Sequence, residues 1–112
     1  RSSTLALRGI TGTYANQSIP LEADALTFGR DGTVSQLVFP PEAGPISKRH
    51  CTIRPDTAAM QVWIEDKWSS NGTYLATGQR LEPGQSYPLR PGDRFFLAEP
   101  SQMFEVTTEE RR

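Results

Sequence analysis

The stretch Asp66-Lys67-Trp68-Ser69-Ser70-Asn71-Gly72-Thr73 crowds four small polar side chains, Ser69, Ser70, Asn71 and Thr73, into one turn. It follows an alternating run (Met60, Val62, Ile64) and precedes a second β-prone one (Thr73, Tyr74, Leu75). Asn-Gly between two such runs is a strong turn signal, because both residues tolerate positive φ at little cost. Hydroxyls, an amide and backbone N–H groups presented together suit a compact group rich in acceptor oxygens, and phosphate is such a group. A phosphate also needs a cation. Arg30 offers one, because it follows Gly29 at the end of an apolar run and its guanidinium can project from the rim of a fold. Arginine is always charged and pairs with phosphate bidentately. Ser47 and Lys48 lie where a loop enters a strand and add a hydroxyl and a second charge. Three sequence-distant loops thus supply donors, a common way of building a recognition surface on a rigid scaffold.

A catalytic alternative fits less well. Ser47, His50 and Asp66 have the residue types of a nucleophile, a base and an orienting acid. Ser47, however, does not sit in a Gly-x-Ser-x-Gly elbow, and His50 is the only histidine. Asp24, Asp31, Glu42, Asp56, Glu65 and Asp66 form no paired-carboxylate pattern on one element. One cysteine and one histidine fall short of the usual zinc ligand set, so no metal and no cofactor is expected. The chain reads as a binder and not an enzyme. His50 reads as a hydrogen-bonded structural residue, and Cys51 as a packed small side chain at the head of a strand.

The elements that must position these residues are short. The chain has 112 residues, enough for one core, and nine glycines and nine prolines spread along it leave no long helical pattern. Apolar runs at Thr4 to Ile10, Ser18 to Leu21, Ala25 to Phe28, Gln36 to Phe39, Cys51 to Arg54, Gln61 to Glu65, Ser86 to Leu89, Arg94 to Ala98 and Met103 to Val106 read as strands. Glu22-Ala23-Asp24 separates the second from the third. Some ten short strands without a helix predict a β-sandwich or barrel. One face of each would supply the core: Leu5, Leu7, Leu21, Leu26, Phe28, Val38, Ile53, Val62, Ile64, Leu81, Leu89, Phe95, Leu97, Phe104 and Val106. A net charge of −1 provides no global field toward nucleic acid or an anionic membrane, so anion recognition must be local. The single cysteine suits a reducing compartment, and no apolar run of transmembrane length and no signal peptide stands out.

Gly29-Arg30, then Ser47-x-x-His50, then Asp66-x-x-Ser69-x-Asn71-Gly72-Thr73 resembles the forkhead-associated (FHA) domain in order and spacing, over roughly Leu5 to Val106. The resemblance implies an all-β fold, an eleven-stranded antiparallel β-sandwich of the FHA/SMAD-like kind with its binding loops at one end. It also implies a non-catalytic reader of phosphothreonine peptides in extended conformation. Arg30 then matches the arginine that pairs with phosphate, and Ser47 the serine that binds it. Lys48 stands at a position that often contacts phosphate, and Ser70 at the Ser/Thr position that holds phosphate and threonine. Asn71 matches the asparagine that bonds the peptide main chain. Gly29, His50, Asp66, Ser69, Gly72 and Thr73 become structural supports of the site.

On this basis residues 4–106 are expected to form the domain, with 1–3 and 107–112 as flexible ends of a piece cut from a larger, cytoplasmic protein. The expected partner is a phosphothreonine-containing protein or peptide, a Ser/Thr kinase or its substrate, in kinase-linked signalling or secretion control. No nucleic acid and no membrane contact is expected of this domain. The alternative is a phosphate-independent docking or oligomerisation domain on the same sandwich. The loop Glu42 to Pro45 carries Glu, Gly and Pro where relatives often place a basic side chain, leaving selectivity after the phosphothreonine open. Trp63 and Trp68 are candidates for peptide-binding aromatics. Alternation places Trp63 over the outer sheet face, while Trp68 is expected to pack under the turn.

Overall fold

Glycine and proline break the chain into runs too short for helices, and the β-branched and aromatic content of those runs makes strands of them. The computed structural model describes residues 2–21 and 24–111. The strands are β1 (Ser2–Gly9), β2 (Ser18–Pro20), β3 (Leu26–Gly29), β4 (Leu37–Val38), β5 (Cys51–Asp56), β6 (Gln61–Asp66), β7 (Thr73–Leu75), β8 (Ser86–Leu89), β9 (Arg94–Leu97) and β10 (Met103–Arg111). A single 3-10 turn, Gly12–Tyr14, lies between β1 and β2. Two five-stranded sheets, ordered β2-β1-β10-β9-β7 and β4-β3-β5-β6-β8, form a β-sandwich. Among the described residues no helix is long and apolar enough to cross a membrane.

The inner faces meet in an aromatic centre. Phe104 has its ring centroid 5.3 Å from that of Phe28 and 5.5 Å from that of Phe95, and Tyr14 packs edge-on to Phe39 at 5.4 Å. Alternation along β6 buries Val62 and Ile64 inward and leaves Trp63 half-buried on the outer face, its indole N–H donating to Asp56 at 3.3 Å. Thirteen of the expected core residues are fully buried; Leu26 is half-buried and Val38 is exposed. In β4 the inward residues are Leu37 and, just beyond, Phe39, so Val38 faces out. A strand of two residues has no period from which to read its register, and a slip of one residue exchanges the faces.

Three further expectations need correction. The described residues form ten strands, not eleven. Arg80 makes only a single bridge to Tyr74, confined between the positive-φ turn at Gly78 and Pro83-Gly84. The pairing is not wholly antiparallel, since β4 runs parallel to β3. Gln36 fixes that geometry: its backbone N–H donates to the Thr27 carbonyl at 3.0 Å, and its side-chain carbonyl accepts from the Thr27 N–H at 2.8 Å. At the chain ends, Ser2 and Ser3 open β1 while Thr107 to Arg111 continue β10, in a ladder from Ser2–Arg111 to Gly9–Phe104. Arg1, Glu22, Ala23 and Arg112 lie outside the described residues, and with them the middle of the Glu22-Ala23-Asp24 separator. The turn signalled by Asn71-Gly72 in the Asp66–Thr73 stretch does not fold the chain back along β6. The stretch leaves β6 in one sheet and enters β7 in the other, so it bridges the sandwich at its rim.

Candidate functional site

The bridging segment is held by one carboxylate. Asp66, on the last buried position of β6, accepts the Ser69 hydroxyl at 2.5 Å and the Thr73 hydroxyl at 2.8 Å on Oδ1, and the Ser69 N–H at 3.1 Å on Oδ2. Ser69 in turn accepts the Gly72 N–H at 3.0 Å on its Oγ. Gly72 sits at φ +87°, where a Cβ would lie 2.6 Å from the Arg80 side chain. Asp66, Ser69, Gly72 and Thr73 are buried, while the next residues out, Ser70 and Asn71, are exposed. The inner set shapes the turn and the outer pair is presented.

His50 joins this turn to the loop before β5. Its Nδ1 accepts the Ser47 N–H at 3.0 Å, which puts the ring proton on Nε2, and Nε2–H donates to the Gly72 carbonyl at 2.8 Å. Burial holds the His50 pKa below its ordinary value, against the opposing pull of the Gly72 bond and the Asp66 charge. The neutral tautomer that the two bonds require is therefore the resting one. Two more bonds close the same seam: Ser47 Oγ accepts the Ser70 N–H at 3.0 Å, and Asn71 Nδ2 donates to the Pro45 carbonyl at 2.9 Å.

The third loop leaves β3. The N–H groups of Arg30 and Asp31 donate to the carbonyls of Ser47 and Lys48, both at 3.1 Å. This close approach requires glycine at position 29, because a Cβ there would stand 2.0 Å from the Lys48 carbonyl oxygen. Arg30 Nε donates to the Ile46 carbonyl, which anchors the side chain on the loop before β5. Asp31 Oδ1 accepts both the hydroxyl and the N–H of Thr33, at 2.7 and 2.9 Å. Those bonds, with a smaller contribution from Lys48, hold the Asp31 carboxyl below its usual range. Arg30, Asp31, Gly32, Pro41 and Lys48 line an open cavity of about 320 Å³. It is a shallow basin with two cations and one carboxylate in its wall.

Arg30 and Lys48 thus share one cavity, Ser47 beside Lys48 is bonded to Ser70, and Asn71 is anchored on the Pro45 carbonyl of the same loop. Gly29, His50, Asp66, Ser69, Gly72 and Thr73 all lie in the framework beneath. Sequence reasoning missed the carbonyls of Pro45 and Ile46, which anchor Asn71 and Arg30. It also missed the Asp31–Thr33 cap, although Asp-Gly-Thr is the pattern of a side chain bonding two residues ahead. Burial drives the Cys51 thiol pKa up, in keeping with a packed core side chain. Among the described residues no group of three or more His, Cys, Asp or Glu could hold a metal.

Residues 26–98, which include all three loops, match the family model of the FHA domain. The chain belongs to the FHA domain family. It is 37% identical over 82 residues to Protein FraH of Nostoc sp., an alignment covering 73% of this chain and 23% of FraH, so the chain spans less than a quarter of that relative. The FHA domain of the CT664 protein from Chlamydia trachomatis has the same fold, with a TM-score of 0.79 and 20% identity over 96% of this chain and 99% of that one. The MEK1 FHA domain, in complex with a HOP1 phosphothreonine peptide, matches with a TM-score of 0.73 and 25% identity over 97% of this chain and 100% of that one. FHA domains are non-catalytic interaction modules, and this chain has their β-sandwich.

Proposed function

We propose that this domain recognises phosphothreonine in an extended peptide and acts as an adaptor without catalysis of its own. The observation that carries the reading is the state of the Ser47 hydroxyl. It already accepts the Ser70 N–H at 3.0 Å, so its own proton is left to donate. Ser47 also adjoins Lys48, which lines the same cavity as Arg30. A phosphate, largely dianionic at neutral pH, would meet the Arg30 and Lys48 charges there, which outnumber the Asp31 carboxylate, with the Ser47 hydroxyl next along the chain from Lys48.

Each residue has a role in this reading. The Arg30 Nε is occupied by the Ile46 carbonyl, leaving the terminal nitrogens to pair with phosphate oxygens. Lys48 adds charge, and the Ser47 and Ser70 hydroxyls add direction. Asn71 has committed its Nδ2 to the Pro45 carbonyl, which leaves Oδ1 to accept a peptide N–H. Charge-assisted bonds contribute about 1.5–3 kcal/mol each when well formed. A few of them reach the roughly 8 kcal/mol of a micromolar complex after the peptide is ordered. The bound MEK1 relative, at 25% identity, supports the same use of the fold. A phosphothreonine partner is the product of a Ser/Thr kinase. Kinase-linked signalling or secretion control in the cytoplasm is therefore the setting we propose, with the kinase or its substrate as partner.

Calorimetric titration with matched phosphothreonine, phosphoserine and unphosphorylated peptides tests this. Binding should require phosphothreonine, and Arg30→Ala should weaken it about 100-fold. Equal binding of the unphosphorylated peptide, or an unchanged affinity in Arg30→Ala, would refute the reading in favour of phosphate-independent docking.

A further inference from the structure

Among the described residues three large apolar side chains are exposed: Val34 at 43%, Val38 at 40% and Trp68 at 71%. The expectation that Trp68 packs under the turn is therefore wrong, and the manner of its exposure is informative. Trp68 has φ +56°, a region that a bulky L-residue enters only against steric cost. Its ring is nevertheless seated. A Cβ on Gly84 would come within 2.5 Å of Trp68 Cη2 and 3.0 Å of Cζ2, so the indole lies directly against the backbone of a glycine that its own φ of +80° also requires. The Gly84 N–H also donates to the Asp66 carbonyl at 2.9 Å, tying this platform to the base of the Asp66–Thr73 segment. An indole that is strained, seated on a glycine and still mostly in water contributes little burial to the fold. Strained residues cluster at ligand clamps, and of the four non-glycine residues at positive φ among those described, only Trp68 is a large exposed apolar one.

We propose that Trp68 is a specificity-determining contact of the phosphopeptide site and receives an apolar side chain of the phosphothreonine partner. The proposal rests on the reading of Arg30, Ser47, Lys48, Ser70 and Asn71 as that site. Continuity identifies the occupant as part of the same peptide. Trp68 and Ser70 are two residues apart, so their Cα atoms lie at most about 7.6 Å from each other. A peptide held along Asn71 passes the indole within a few residues of its phosphothreonine. An apolar occupant matches the exposed ring face, and Glu65, three residues before Trp68 in the chain, is already paired with Lys67 at 2.9 Å. Glu82, in the turn that carries Gly84, makes a basic side chain the competing occupant.

The test is selection from phosphothreonine peptides degenerate at the flanking positions, using the whole chain and its Trp68→Ala and Trp68→Gly variants. Wild type should select apolar residues at one position within about four residues of the phosphothreonine. Both variants should lose that selection and bind the chosen peptide about tenfold more weakly, while still rejecting its unphosphorylated form. Glycine accepts φ +56° without strain, so Trp68→Gly should melt no lower than wild type, separating contact from folding. Unchanged selection in the variants overturns the proposal, as does a Trp68-dependent preference for basic residues. So does weaker binding that tracks a lower melting temperature in both variants, which would make Trp68 a clamp on Gly84. Failure of Trp68 alone leaves phosphate-dependent binding intact, whereas a wild type that ignores phosphorylation overturns both readings together.

Discussion

Protonating His50 should loosen the frame that holds the site, and its stability should carry that signature. The ring is fully buried and makes two bonds, accepting the Ser47 N–H and donating to the Gly72 carbonyl. His50→Ala orphans both partners, and each buried unsatisfied group costs about 1–3 kcal/mol. The cavity adds to this, for a total of about 3–5 kcal/mol, a large share of a typical domain's stability. His50→Gln is the milder variant should the alanine chain not fold. The pH dependence is the sharper measurement. Burial lowers the His50 pKa in the native state, while the unfolded chain takes up its proton near the ordinary value of about 6.5. Below that pH the unfolded state binds more protons than the native one, so stability falls as pH falls. For this one group the slope is at most about 1.4 kcal/mol per pH unit, and it flattens below the native pKa. Urea unfolding of the peptide-free chain between pH 7.5 and 5.5, in wild type and His50→Gln, checks this without interference from a titrating phosphate. A slope in His50→Gln equal to that of wild type, or a wild type that grows more stable on acidification, would refute the argument.

Two other substitutions probe the frame from its other sides. Gly29→Ala brings a Cβ to 2.0 Å from the Lys48 carbonyl oxygen and must separate the Arg30 and Lys48 loops. It should lose about 2 kcal/mol or more in denaturant unfolding and weaken phosphopeptide binding, although the added methyl reaches no ligand. Asp66→Ala leaves the Ser69 hydroxyl and N–H and the Thr73 hydroxyl without their acceptors in a buried setting. It should lower the melting temperature by about 10–20 °C in calorimetry, and a shift of only a degree or two would show that water replaces the carboxylate.

What could be read from residue types divides along physical lines. Asp66, Ser69, Gly72 and Thr73 form their frame within eight residues of chain, so their side-chain chemistry and spacing already describe it. Gly29 was legible for a similar reason, since a glycine at a strand end beside an arginine signals close backbone approach. The carbonyls of Pro45 and Ile46 were not, because a backbone acceptor is common to every residue and only tertiary geometry selects two of them. Asn71-Gly72 gave the positive φ at Gly72 but not the destination of the chain after it. A turn signal is local, and whether β7 returns to β6 or joins the other sheet is decided by β9, its actual partner. The polar end at Thr107 to Arg111 shows the converse. Its composition suggests fraying, yet pairing with β1 extends the ladder through it, because one outer face of a sandwich can remain polar at no cost. Trp68 joins both lessons. Its identity is plain in the sequence, but its direction depends on a positive φ that no rule assigns to tryptophan and on a glycine in another loop. Side chains that obey local rules build the support of this site. Trp68, which breaks them, is the one we propose a partner meets.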